Sequence, residues 1–421
     1  MKKICVMGLG YIGLPTAVVL ALNGQQVTGV DNDLKLLQTL NRGKVHIEEP
    51  DLASLFTEVI KEGRLNFSYT PVTADVFIIA VPTPNNDDKS SDLSFVLDAF
   101  KSILPYLLAE NLVIIESTIP PQTCDRLIKP ILENEGFIVG KDIYLAHCPE
   151  RVLPGQIMKE LVENNRIIGG CTPECSRSAA EIYRTFVKGE IVETDAATAE
   201  MTKLMENTFR DVNIALVNEI VKICDHLGIS ALKAIELANK HPRVSLHEPG
   251  PGVGGHCLAI DPYFIIEKAP HLARIISEAR NTNRSMPAYI VDRVKDLLSG
   301  VKLARIAVLG LSYKGNVDDI RESPALEIIS LLKKEKFSVS VYDPYVQIEG
   351  NEQDINSAVK GADLILVLAD HNEFRHLDYE ILAKKMRTPM VFDTRNVINA
   401  EDYACSEICI YKLGNVISIH E

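Results

Sequence analysis

Gly8-Leu9-Gly10-Tyr11-Ile12-Gly13 follows a short apolar run, opens an apolar segment, and has Asp31 about 20 residues beyond its first glycine. In that pattern Gly8 permits a tight turn, Gly10 lets the backbone approach a pyrophosphate, and Gly13 lets helix and strand pack closely. The helix N-terminus would then stabilise phosphate charge. Asp31 would accept hydrogen bonds from an adenosine ribose and repel a 2′-phosphate, so the pattern predicts NAD in preference to NADP. A second run, Pro249-Gly250-Pro251-Gly252-Val253-Gly254-Gly255-His256-Cys257, ends its bare backbone in a thiol, with Asp261 four residues on. Cys257 could act as a nucleophile if a cation such as Lys203 lowered its pKa, or it could be an inert buried thiol. Lys203, Asn207 and Arg210 share one helical face, which could be a site or simply solvated surface. Lys314 and Arg321, beside the acidic run at Asp318, could meet phosphates or belong to an ordinary loop. His241-Pro242-Arg243 fits either a helix terminus or a site loop.

The elements that would position these residues form two similar halves. Strands are predicted at Lys3–Met7, Gln26–Val30, Val76–Val81 and Leu112–Ile115, with extensions at Asp142–Cys148, Arg166–Ile168 and Glu190–Glu193. Their alternation with helical patterns predicts a parallel, doubly wound sheet. The same grammar returns at Arg305–Leu309, Ser338–Tyr342, Leu364–Leu368 and Met390–Phe392, although the turn at Gly310 lacks the full glycine spacing and need not bind a second dinucleotide. Between the halves a long helix is predicted from Ala196 to Leu227, with Met201, Leu204, Met205, Val212, Ala215, Leu216, Ile223 and Leu227 on one face at ~100° per residue. A helix of that length can span domains or pack on a twin. The fold class is therefore α/β: two Rossmann-like doubly wound domains, 1–195 and 300–421, joined by a helical segment, 196–299.

The chain has 421 residues and a formal charge of −13, which argues against broad nucleic-acid or anionic membrane surfaces. Nine scattered cysteines fit reduced thiols better than a disulfide framework. Cys171/Cys175 and Cys405/Cys409 have loose metal-like spacing without matching histidines, so no metal is expected. Lys2-Lys3 and the apolar run to Leu22 mimic a targeting signal, but the glycines and Pro15 interrupt it. No run of ~18 apolar residues predicts a membrane span, and a soluble, cytoplasmic protein is expected.

Together GLGYIGLP at Gly8, VPTP at Val81, EST at Glu116, CPERVLPG at Cys148, KLMENTFRDVNIALVNE at Lys203, HPRV at His241, PGPGVGGHCLAIDPYF at Pro249 and YKGNVDDIRESPA at Tyr313 resemble the UDP-sugar and GDP-sugar dehydrogenases. The ERVLPG, HPR and GGHC variants look more like the UDP-N-acetyl-D-mannosamine branch than the UDP-glucose branch. The resemblance implies oxidation of a sugar C6 alcohol to a carboxylate, with two NAD reduced, through a thiohemiacetal and a thioester on Cys257. It implies that Lys203 stabilises the oxyanion, that Asn207 donates a hydrogen bond, and that Asp261 and Glu150 position or activate water. By the same resemblance Gly8, Gly10, Gly13, Tyr11, Ile12, Asp31, Lys35, Thr83, Thr118 and Arg321 contact NAD. Arg151, Val152, Lys203, Asn207, Arg210, His241, Arg243, Gly254, Tyr313, Lys314 and Arg395 hold the UDP-sugar. The resemblance also implies a homodimer joined through the central helix, with Arg243 reaching the neighbouring site, and a product used in surface polysaccharide.

Overall fold

The computed structural model describes residues 1–153, 155–403 and 406–415, so Cys405 lies outside the described residues. Two compact units emerge: Met1–Glu206 with Tyr263–Pro270, and Asn207–Pro262 with His271–Glu421. The residues expected to form the central segment are shared between them.

The first unit is built on eight strands: β1 Lys3–Met7, β2 Gln26–Val30, β3 Leu65–Ser68, β4 Val76–Ile79, β5 Leu112–Ile115, β6 Tyr144–His147, β7 Arg166–Gly170 and β8 Ile191–Asp195. Their spatial order is β3-β2-β1-β4-β5-β6-β7-β8. Residues alternate strictly between two cores. Ile4, Val6, Val76, Ile78, Leu112 and Ile114 fill one face, while Cys5, Met7, Phe77, Ile79, Val113 and Ile115 fill the other. Continuous apolar strands are what a sheet covered on both faces requires. One pairing departs from the expected parallel sheet: β6 and β7 run antiparallel, Ala146 opposite Gly170 and His147 opposite Gly169. Among the described residues between β6 and β7, helix is confined to the short segment Ile157–Glu163. That connection turns the chain back instead of completing a βαβ crossover.

The second unit carries five parallel strands, β9 Arg305–Leu309, β10 Ser338–Tyr342, β11 Leu364–Val367, β12 Met390–Asp393 and β13 Cys409–Lys412, in the order β10-β9-β11-β12-β13. Again the faces alternate, with Ile306, Val308, Leu364 and Leu366 on one core and Ala307, Leu309, Ile365 and Val367 on the other. Sequence reading missed β3 and β13, whose four-residue strands carry polar or half-buried positions.

In both sheets the strand order reverses beside the first strand, the place beyond the strand C-termini where open α/β sheets bind their ligands. Gly8 follows β1 at that point with φ +89°, and an added Cβ would lie 2.7 Å from the Ala80 carbonyl oxygen. Gly310 follows β9 with φ +97°, and its Cβ would meet Ala369 at 2.4 Å. The carboxylates match as well: Asp31 Oδ2 accepts from Leu9 N at 2.9 Å, and Asp343 Oδ2 accepts from Leu311 N at 2.6 Å.

The long helix spans Ala196–Leu227. Its apolar face is narrower in burial than in pattern. Leu204 and Ala215 are buried, whereas Met205, Phe209, Leu216, Ile223 and Leu227 remain exposed along a crest of about 40°. Polar residues take much of the buried flank instead, because Asp211 and Asn218 are fully enclosed by hydrogen-bonded partners.

Candidate active-site residues in two units

The dinucleotide turn has the form its glycines require. A Cβ on Gly13 would sit 1.9 Å from the Gly8 carbonyl oxygen, so only glycine lets the helix start there; Gly10 faces open space. The helix Gly13–Leu22 has no side-chain cap and no acidic residue in its first turn, so its positive end carries no carboxylate of its own and favours an anion. Asp31 Oδ1 accepts from Asp33 N at 2.9 Å, which fixes the carboxylate at the tip of β2 with lone pairs left for hydroxyl donors. These residues fit NAD. Tyr11 and Lys35 are exposed, Ile12 and Thr118 are half-buried, and Thr83 is buried. All belong to the first unit.

Behind this turn lies a buried ionic cluster that sequence reading resolved only at Glu150. Glu150 Oε2 pairs with Arg166 Nη2 at 2.7 Å, and Glu150 Oε1 accepts from Arg151 N at 2.7 Å. The Arg166 guanidinium stacks over Tyr183, 4.9 Å from the ring centroid. Tyr183 Oη donates to Glu116 at 2.6 Å, and Thr16 Oγ1 donates to the same carboxyl at 3.3 Å. A charged residue opening an otherwise apolar strand, Arg166 in β7, was the available signal. Burial pushes Glu116 up to about 7, with Arg166 opposing and Glu150 reinforcing. The folded state therefore holds this proton more tightly than the unfolded chain. The favourable contribution is complete below pH 4.5 and is lost as pH rises through 7. Glu116→Gln should flatten the difference in unfolding free energy between pH 5 and pH 8 by up to about 3 kcal/mol, measured by urea denaturation at both pH values. An unchanged slope would place the titration elsewhere.

Arg151 is engaged by Glu206, Nε to Oε2 at 3.0 Å and Nη2 to Oε1 at 2.6 Å, and reaches the Asn165 carbonyl at 3.2 Å. These groups, with Glu163 and Asn164, line an open depression of about 460 Å³. Val152 and Lys203 are half-buried in the same unit.

The cysteine loop belongs to the second unit. At one end Gly250 N donates to Asn218 Oδ1 on the long helix at 3.0 Å. Further on, Gly255 N donates to the Arg321 carbonyl at 2.9 Å. Tyr313 presses on both glycines: an added Cβ would approach its side chain to 2.7 Å at Gly254 and at Gly255. The Cys257 carbonyl then accepts from Ile260 N and Asp261 N at 3.0 and 2.8 Å, starting the helix Asp261–Lys268. Asp261 is buried and accepts from Asn207 Nδ2 at 2.5 Å. Arg280 Nη1 pairs with Asp211 Oδ1 at 2.5 Å and reaches the Leu258 carbonyl at 3.4 Å, tying the residue after Cys257 to the long helix.

Cys257 is exposed, as is Cys409 on strand β13. Cys148, by contrast, is enclosed, and burial pushes its thiol up to about 12. Exposure in a glycine loop is the setting of a reactive thiol, and enclosure in a core is not. The neighbouring His256 is not a source of positive charge, since burial and then the Arg321 charge lower its pKa, with Asp319 opposing. Arg321 itself is held by Asp319, Nη2 to Oδ2 at 2.7 Å. Arg210, His241, Arg243 and Lys314 are exposed, and Arg395 is half-buried; all lie in the second unit. Among the described residues no cluster of His, Cys, Asp or Glu could hold a metal ion, and no helix is long and apolar enough to cross a membrane.

A glycine-turn dinucleotide unit followed by an α/β unit bearing a cysteine loop defines a class of dinucleotide-dependent oxidoreductases. Residues 2–187 match the NAD binding domain of the UDP-glucose/GDP-mannose dehydrogenase family, 197–285 its central domain, and 307–400 its UDP binding domain. A UDP-N-acetyl-D-mannosamine dehydrogenase from Methanocaldococcus jannaschii is 48% identical, the match covering 98% of this chain and 97% of that protein. An NDP-N-acetyl-D-galactosaminuronic acid dehydrogenase from Ralstonia solanacearum is 45% identical over 96% of this chain and 98% of that one. The solved UDP-N-acetyl-mannosamine dehydrogenase from Staphylococcus aureus superposes with a TM-score of 0.93 at 53% identity, covering 99% of this chain and all of that one. The chain belongs to the UDP-glucose/GDP-mannose dehydrogenase family and is an NAD-dependent oxidoreductase.

Proposed function

We propose that this protein oxidises UDP-N-acetyl-D-mannosamine at C6 to the mannosaminuronate, a four-electron reaction that reduces two NAD per sugar. The observation that carries the reading is Cys257, an exposed thiol closing the Gly250–Gly255 loop, one turn before a buried Asp261 held by Asn207. Full-length similarity to mannosamine dehydrogenases supports the sugar. When bound at the Gly8–Gly13 turn, NAD supplies the hydride acceptor for each oxidation.

The chain's own residues do the rest. A sugar aldehyde has no oxyanion with which to expel hydride. Addition of the Cys257 thiolate across its carbonyl makes a thiohemiacetal that has one, and loss of hydride leaves a thioester. Water then adds to the thioester carbon and the thiolate leaves, releasing the acid. Lys203 stabilises the oxyanion, and Asn207 donates to the reacting oxygen. Asp261 positions water. Glu150, clamped by Arg166 and the Arg151 amide, acts by holding geometry and not as a free base. Arg151, Arg210, His241, Arg243, Lys314 and Arg395 provide the cations and donors for the diphosphate and uridine. The exposed crest Met205–Leu227 supports a homodimer through the long helix. The reaction would serve surface polysaccharide synthesis in the cytoplasm.

NADH formed from purified protein should reach two per UDP-N-acetyl-D-mannosamine at completion, with little from UDP-glucose or UDP-N-acetylglucosamine. Similarity to the galactosaminuronic acid enzyme favours a second reading, the same chemistry on another N-acetylhexosamine nucleotide. Two NADH from such a sugar in place of the mannosamine would select it. One NADH per sugar would remove the thioester route.

A further inference from the structure

Asp370-His371-Asn372, just past β11, holds no role in the chemistry above, yet each member grips the loop that carries Tyr313 and Lys314. Asp370 Oδ1 accepts from Gly315 N at 3.0 Å and from Arg395 Nη2 at 2.8 Å. His371 Nδ1 accepts from Asn316 N at 2.8 Å. Asn372 N donates to Asn316 Oδ1 at 2.9 Å. The gripped turn is strained. Asn316 has φ +62°, and a Cβ on Gly315 would lie 2.3 Å from the Asp370 carbonyl oxygen. A left-handed residue other than glycine persists where its surroundings over-determine it, and here backbone and side chain are both bonded.

His371 is in turn locked. Because Nδ1 accepts, the ring proton sits on Nε2, which faces Asp343 Oδ2 at 3.1 Å and Ser312 Oγ at 3.3 Å. Tyr345 stacks on the imidazole at 4.9 Å, and Phe374 meets it edge-on at 5.1 Å. Asp343 is the counterpart of Asp31, so the buried histidine occupies the neighbourhood where the first unit keeps an open carboxylate. The Arg395 charge and several hydrogen bonds outweigh burial at Asp370 and hold its carboxyl below the usual range, so it is ionised.

We propose that Asp370 and His371 are positioning residues for the nucleoside diphosphate of the sugar nucleotide. They tie the loop that carries Lys314, through Gly315 N, and Arg395, from a separate loop, to one shared carboxylate, and through Tyr313 they seat Gly254 and Gly255. This rests on the reading that Lys314 and Arg395 hold the UDP portion. Pre-setting the Arg395 side chain and the backbone that carries Lys314 removes ordering costs that binding would otherwise bear.

The test is calorimetric titration of the full-length protein with UDP, alongside NAD titration and steady-state kinetics. Asp370→Ala should raise the Kd for UDP and the KM for the sugar nucleotide by about tenfold, with NAD affinity and melting temperature unchanged. Asp370→Asn, which keeps an acceptor for Gly315 N, should recover part of the loss. His371→Asn, whose Oδ1 can still accept from Asn316 N, should be milder than His371→Ala. Asn316→Ala removes the acceptor for Asn372 N and places alanine at a positive φ, so its melting temperature is followed alongside, and it should weaken UDP severalfold. UDP affinity within twofold of wild type in both Asp370→Ala and Asn316→Ala, with Lys314→Ala impaired, would overturn the proposal and leave the site reading intact. Weakening in the Asp370 and Asn316 variants with Lys314→Ala neutral would support positioning and remove only the lysine. No UDP binding by wild type would overturn both.

Discussion

Cys257→Ala is expected to lower acid formation by at least about a thousandfold, equivalent to ~4 kcal/mol of transition-state stabilisation. The first oxidation, alcohol to aldehyde, needs no sulfur. The second needs a tetrahedral adduct whose oxyanion can push hydride out, and alanine offers no nucleophile to make it. The variant should therefore form about one NADH per sugar in a single turnover and accumulate aldehyde, which hydroxylamine traps for mass spectrometry. UDP affinity should remain near wild type, because the loop backbone that Tyr313 and Arg321 hold does not depend on the thiol. Two NADH per sugar at near wild-type rate would assign the chemistry to another group.

Arg280→Met should destabilise the protein by about 3–5 kcal/mol in chemical denaturation followed by circular dichroism. Arg280 and Asp211 are almost wholly enclosed and 2.5 Å apart, so removing the guanidinium strands a carboxylate in a low-dielectric interior. Burial already raises the Asp211 pKa, with Arg280 and Asn283 opposing; without Arg280 the carboxyl would be driven further up. Asp211→Leu combined with Arg280→Met should regain much of the loss, since an apolar pair strands no charge. Activity should not return in parallel, because Arg280 also reaches the Leu258 carbonyl beside Cys257. A single variant within about 1 kcal/mol of wild type would show that water or a nearby group replaces the cation.

Much of the fold was legible because its signals are local. Apolar runs ending in Gly8 and Gly310 mark the first strand of each sheet, and alternate residues of these strands go to opposite cores whatever lies further away. The NAD turn was equally legible, since a Cβ at Gly13 is excluded by an atom only five residues away. The antiparallel turn into β7 was not. Pairing direction depends on where a connection delivers the chain, and no periodicity records that.

The candidate site divides along the same line. Residue type and spacing alone singled out Cys257, Asp261 and the cationic face of the long helix. They did not separate an exposed thiol from an enclosed one; the tertiary structure did. The predicted apolar helix face mixed two fates, because periodicity reports a face and only tertiary contacts decide which flank is covered. Glu116 with Arg166 and Asp211 with Arg280, both buried, and Asp370 with Arg395, half-buried, are each joined across at least 25 residues of chain. A buried charge costs too much to be left without a partner, but which partner answers it is a matter of three-dimensional proximity. The sequence by itself determined the two sheets, the dinucleotide turn and the thiol. Tertiary structure decided which charges pair, which of the described thiols stay exposed, and how Asp370 and His371 grip the loop of Tyr313 and Lys314.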